Sequence, residues 1–166
     1  MAFPENFFGA QRVTRAVLPS MLSRRSGTIV NVASLLGAIP CPTAANYGAT
    51  KAALINWSHA LRGEVDRHGV RVVVFLPSHT ATEQAKQVRF DGVTSLPVDY
   101  VVTQLLRATD RAPRSFAASP VFRAFLRLAG LFPGWAERQM RRSTESLLTA
   151  QDGASASLEA TVRPSL

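Results

Sequence analysis

Cysteine occurs once in the 166 residues, at Cys41, so no internal disulfide forms, and the composition fits a reducing compartment such as the cytoplasm. Cys41 itself reads as a small loop residue. No apolar run approaches the roughly eighteen residues that a membrane span needs. The start of the chain, Met1 to Asn6, sets no basic stretch ahead of an apolar core, so it does not read as a signal peptide. No His/Cys spacing suits zinc, and no metal site is expected. Lysine is scarce, because seventeen of the nineteen basic residues are arginine. The net charge of +8 would suit nucleic acid, anionic lipid or a phosphorylated cofactor. Without an arginine-rich run interleaved with aromatics, or a helix-turn-helix pattern, no nucleic-acid partner is expected.

An apolar fraction of 46% and this length suit one globular domain. Phe7, Phe8, Val13, Val17, Leu18 and Leu22 recur near helical spacing, so residues 4–23 are predicted to be an amphipathic helix with Pro4 in its first turn. The β-branched run Thr28–Ala33 predicts a buried strand. A loop with Gly37, Pro40 and Pro42 follows, and helical spacing returns over residues 44–67. Val70 to Leu76 predicts a second strand, and Pro77 to Leu96 a long loop of the kind found around ligands. Residues 97–108 read as helix and 114–118 as a weak strand. Alternating helices and strands predict an α/β layer fold with a parallel sheet covered by helices on both faces.

Tyr47 and Lys51 lie four apart in Asn46-Tyr47-Gly48-Ala49-Thr50-Lys51, thirteen residues after Ser34 at the end of the first strand. On a helix they share one face, one turn apart. A phenol is ordinarily too weak an acid for proton work near neutrality, and a cation within a few Å favours its ionised form. The pair is therefore a candidate general acid/base.

These residues resemble the short-chain dehydrogenases/reductases from about Asn6 to Arg107. Asn31-Val32-Ala33-Ser34 is similar to that family's strand ending in its catalytic Ser. Tyr47 to Lys51 is similar to its Tyr-x-x-x-Lys signature at the usual distance from the Ser. Asn6-Phe7-Phe8-Gly9, ahead of Val17-Leu18-Pro19, resembles the helix carrying its fourth catalytic residue, and Leu61 to Val72 its helix-to-strand passage. The resemblance implies a Rossmann-like, doubly wound sheet and NAD- or NADP-dependent interconversion of a secondary alcohol and a ketone. Tyr47 would move the proton, Lys51 would also hold the nicotinamide ribose, Ser34 would bind the substrate oxygen, and Asn6 would hold a relay water. Pro77 and Thr82 fit the cofactor-clamping loop, where Ser78 stands in place of the family's Gly. The helices around Arg12 and Ala53 would form a homo-oligomer interface through segments 4–23 and 44–67.

The family's Gly-rich strand–turn–helix for the pyrophosphate is not matched anywhere, since the ten glycines are scattered. The expected organisation is thus the catalytic half of such a domain over 1–110, a substrate-side amphipathic helical segment over 111–145, and a disordered tail over 146–166. Three readings follow: a truncated form of a longer oxidoreductase, an inactive remnant serving as an interaction module, or a peripheral membrane protein. The last rests on segment 120–142, where Phe122, Phe125, Leu126, Leu128, Leu131, Phe132 and Trp135 alternate with arginines. The favoured reading of the same segment is a helix that closes an apolar substrate cleft and packs on the sheet, with membrane association the less expected alternative. The residue selecting NAD or NADP is not matched in this sequence, so the cofactor choice stays open.

Overall fold

A computed structural model describes residues 3–82 and 92–149 of the chain. The expected tail beyond residue 149 and the stretch 83–91 of the long loop lie outside the described residues. The most apolar run of the sequence becomes the centre of the fold. Strand β2 (Val70–Leu76) is buried at every position except Arg71, because it lies between two neighbours and both its faces are covered. β1 (Gly27–Val32) and β3 (Ser115–Ala117) pair with it in parallel, giving the order β1-β2-β3. The expected two-faced cover is present. Val70 and Val72 meet Leu61 and Val65 of α2 (Ala45–Val65) and Leu18 and Leu22 of α1 (Ala10–Ser23). Val73 and Phe75 point the other way, onto Val101 and Ala108 of α3 (Val98–Arg111).

Buried polar pairs fix these layers in register. Asn31 on β1 donates its Nδ2 to Ser58 Oγ on α2 at 2.8 Å, and Ser58 Oγ donates to Leu54 O at 2.6 Å. Both side chains are nearly inaccessible, so each needs the other. Arg62 of α2 reaches across to Val72 O at 2.9 Å and Ala112 O at 3.3 Å, tying α2 to the end of α3. Gly69 takes a left-handed φ of 75° where α2 hands over to β2.

Two features depart from the periodicity. Residues Pro4–Gly9 form π-helix ahead of α1, which shifts the face on which Asn6 and Phe7 project. Segment 120–142 is two helices, α4 (Pro120–Leu131) and α5 (Pro133–Ser143), because Pro133 cannot continue the α4 ladder. A further helical turn occupies 145–149, so residues 146–149 of the tail expected to be disordered over 146–166 are helical, with Leu148 N donating to Thr144 O at 3.0 Å. No helix among the described residues is long and apolar enough to cross a membrane.

Candidate active site

Because β1 and β2 run parallel, their carboxyl ends open on one side of the sheet, with Val32 level with Phe75. That crevice is where ligands of open α/β sheets bind. Ser34 follows β1 by two residues, Ser78 follows β2 by two, and the first turns of α2 bring Tyr47 and Lys51 to the same end.

Lys51 anchors the arrangement. Its Nζ donates to Val32 O at 3.1 Å and lies 5.8 Å from the centre of the Tyr47 ring. Burial pushes its ammonium below the ordinary Lys value, since leaving water disfavours the charged form. Tyr47 is 39% exposed, so its ring is open to the crevice.

Asn6 joins the pair through a residue that the motif alone does not single out. Thr50 is fully buried between Tyr47 and Lys51; its Oγ1 donates to Tyr47 O at 2.8 Å and accepts from Asn6 Nδ2 at 3.4 Å. Asn6 keeps its carbonyl oxygen as an acceptor. The π turn that presents Asn6 is held by Phe7, whose ring meets Trp57 of α2 edge-on at 6.3 Å.

Ser34 takes an extended backbone and caps a short 3-10 turn, Leu35–Gly37, its Oγ accepting from Leu36 N at 3.2 Å. The hydroxyl proton stays available to an acceptor in the crevice. Two glycines let this turn lie directly on α2. A Cβ on Gly37 would sit 2.6 Å from Lys51 C and 2.7 Å from Ala52 N, and one on Gly48 would sit 2.8 Å from Leu36 O. Their hydrogens set the distance between the Ser34 turn and the Tyr47–Lys51 helix.

The loop after β2 contributes Pro77, half-buried at the strand's end, and Thr82, exposed farther out. Its base is pinned by a Thr80–Leu96 bridge, with Leu96 N donating to His79 O at 2.8 Å and Ala81 N to Leu96 O at 2.9 Å. Ser78 is not among the residues with positive φ, so its backbone does not require the Gly found in the resembling family. Its Oγ is buried and has no hydrogen-bond partner among the described residues. Cys41 is a buried loop residue whose thiol burial pushes up, which suits packing and not nucleophilic chemistry. Among the described residues no cluster of His, Cys, Asp or Glu could hold a metal.

The family model described as short chain dehydrogenase matches residues 2–91. Mouse (Mus musculus) estradiol 17-beta-dehydrogenase 2 is 46% identical over 72 residues, which is 43% of this chain and 19% of that protein. A very-long-chain 3-oxoacyl-CoA reductase of Ajellomyces capsulatus is 39% identical over 97 residues, 58% of this chain and 28% of that protein. This chain therefore spans under a third of the length of either. Among solved structures, a short chain dehydrogenase from Burkholderia cenocepacia J2315 in complex with NADP superposes with a TM-score of 0.74 at 25% identity, over 83% of this chain and 56% of that one. With the matched residues exceeding half of the sequence and the same parallel layers present, this chain belongs to the short-chain dehydrogenase family.

Proposed function

We propose that this chain carries the proton-transfer part of an NAD(P)-dependent oxidoreductase that interconverts a secondary alcohol and a ketone. The observation that carries the reading is the convergence of Lys51, Tyr47 and, through Thr50, Asn6 at the carboxyl end of the sheet. The residues present suit the nicotinamide-ribose end of a nicotinamide dinucleotide. Lys51 spends one N–H on Val32 O and retains two for ribose hydroxyls, and the unpaired Ser78 hydroxyl lies at the end of the neighbouring strand. A bound nicotinamide accepts or supplies the hydride.

In ketone reduction, Ser34 Oγ–H donates to the substrate oxygen and stabilises the charge that grows there. Tyr47 gives that oxygen its proton. Lys51 lies close enough to the ring to offset the negative charge left on Tyr47, and Asn6 offers its carbonyl oxygen to a water that leads protons in from solvent. Thr50 positions the Tyr47 turn. Pro77 and Thr82, in the loop after β2, would help to hold the nicotinamide end of the cofactor. The substrates named for the two relatives, estradiol and a very-long-chain 3-oxoacyl-CoA, support an apolar ketone. Phe8, Val13 and Val17 stay exposed on the 4–23 helix, which supports association of two copies through it and α2.

Titration of NADPH and NADH, followed by nicotinamide fluorescence, tests the cofactor assignment. Lys51→Met is expected to weaken binding at least about tenfold, the equivalent of one charge-assisted hydrogen bond. Equal affinity in the variant and the native protein would remove Lys51 from the cofactor site.

A further inference from the structure

The α4–α5 hairpin keeps a second apolar face after its first has been used. Leu126 packs into the sheet cluster of Ala33, Leu54, Val74 and Ala117, and Phe125 meets Trp135 at 5.3 Å. On the opposite side Val121, Ala124, Leu128 and Leu131 recur at i, i+3, i+7 and i+10 and are all exposed, Leu131 by 73% and Val121 by 74%. Phe132 continues that stripe at the turn and is 59% exposed. An open groove of about 520 Å³ runs along it, walled by Leu128, Leu131, Trp135 and Arg138.

Charge surrounds this face with one sign. The two helices hold five arginines and a single acidic residue, Glu137. Arg123 lies over the Phe116 ring and faces the sheet, while Arg127, Arg138, Arg141 and Arg142 are exposed. Arg138, Arg141 and Arg142 stand three and four apart and share one side of α5. Arginine stems extend from an apolar patch toward water, which places their guanidinium groups at headgroup level when the patch is buried in acyl chains.

We propose that the α4–α5 hairpin docks on an anionic lipid bilayer, with Leu128, Leu131 and Phe132 entering the interface and Arg127, Arg138 and Arg141 pairing with lipid phosphates. The complementarity is double: an exposed apolar tip meets the acyl boundary, and a net positive rim meets the negative surface. A second protein chain of the same sequence would bring arginines against arginines at this face. The inference stands apart from the redox chemistry and needs none of its residues.

Co-sedimentation of the full chain with vesicles tests it. The chain is expected to pellet with phosphatidylcholine vesicles containing phosphatidylglycerol, to stay in solution with pure phosphatidylcholine, and to be released by high salt. The Arg138→Glu/Arg141→Glu variant should bind at least about thirtyfold more weakly, from about fivefold for each arginine lost. Leu131→Asp/Phe132→Asp should lose pelleting while its circular dichroism stays native, since both side chains are exposed. Should that variant fail to fold, the arginine variant carries the test. Absence of binding to the anionic vesicles, equal binding to neutral ones, or native-like binding by the arginine variant overturns the proposal. So does a lipid-free, concentration-dependent dimer that Leu131→Asp/Phe132→Asp abolishes, which would assign the face to a second copy.

Discussion

Replacing Gly37 by Ala puts one methyl where the structure has no room for it. The new Cβ would lie 2.6 Å from Lys51 C, 2.7 Å from Ala52 N and 2.7 Å from Lys51 Cβ. Carbon atoms rest about 3.5–4.0 Å apart, so the Ser34 turn must retreat from α2 by roughly 1 Å. The obstructing atoms are mostly backbone of a packed helix and cannot rotate aside. Overpacking of this kind costs about 1–3 kcal/mol, and the entropy that Ala removes from the unfolded chain returns about 0.4–1 kcal/mol. Net destabilisation is thus on the order of 1–2 kcal/mol, or a fall in Tm of roughly 2–8 °C for a chain of this length. Gly63 supplies the control, because it lies inside α2 with nothing within 4 Å of its would-be Cβ. Gly63→Ala should stabilise by about 0.5–1 kcal/mol through helix propensity. Urea unfolding of both variants reads the two signs directly. If Gly37→Ala matched Gly63→Ala in stability, the close packing of the Ser34 turn on the Tyr47–Lys51 helix would be wrong.

Ser58→Ala leaves the buried Asn31 Nδ2 without its acceptor and should cost about 1–3 kcal/mol by urea unfolding. A further Asn31→Val change should recover part of that loss, because no unpaired donor then remains. His59 gives a pH dependence. Its burial, with the Arg114 and Arg62 charges adding to it, holds the imidazole below its ordinary value of 6.5, and Nδ1 accepts from Arg114 Nε at 3.2 Å. Between that depressed value and 6.5 the unfolded chain binds more protons than the folded one, so stability rises with pH across the window and is lost as pH falls through it. His59→Gln should flatten that part of the Tm-against-pH curve, and an unchanged slope would place the titration elsewhere.

The elements whose stability comes from their own apolar pattern were legible in the sequence. β2 begins and ends at the residues its β-branched run defines, and α2 falls within two residues of its expected limits at both ends. β3 is three residues long, and its pairing with β2 is tertiary, so only a weak signal precedes it. The π turn at Pro4–Gly9 was not legible, because apolar spacing over two turns hardly separates a π from an α register. At the site, the Tyr47–Lys51 spacing announced a shared face. The roles of Thr50, Gly37 and Gly48 depend on what packs against them, and spacing along one chain does not carry that. Ser78 shows the same limit: its departure from the family's Gly could be read, but its buried, unpaired hydroxyl could not.

Comparison of nicotinamide-linked turnover in the native chain and in Tyr47→Phe, over a panel of apolar ketones and secondary alcohols, most directly tests the assignment of proton transfer to Tyr47. The phenyl ring keeps the packing and removes only the hydroxyl. With this segment joined to a nucleotide-binding half, Tyr47→Phe is predicted to lose turnover by about 10²–10⁴-fold and to keep native NADPH binding. Native-like turnover by Tyr47→Phe would contradict the assignment.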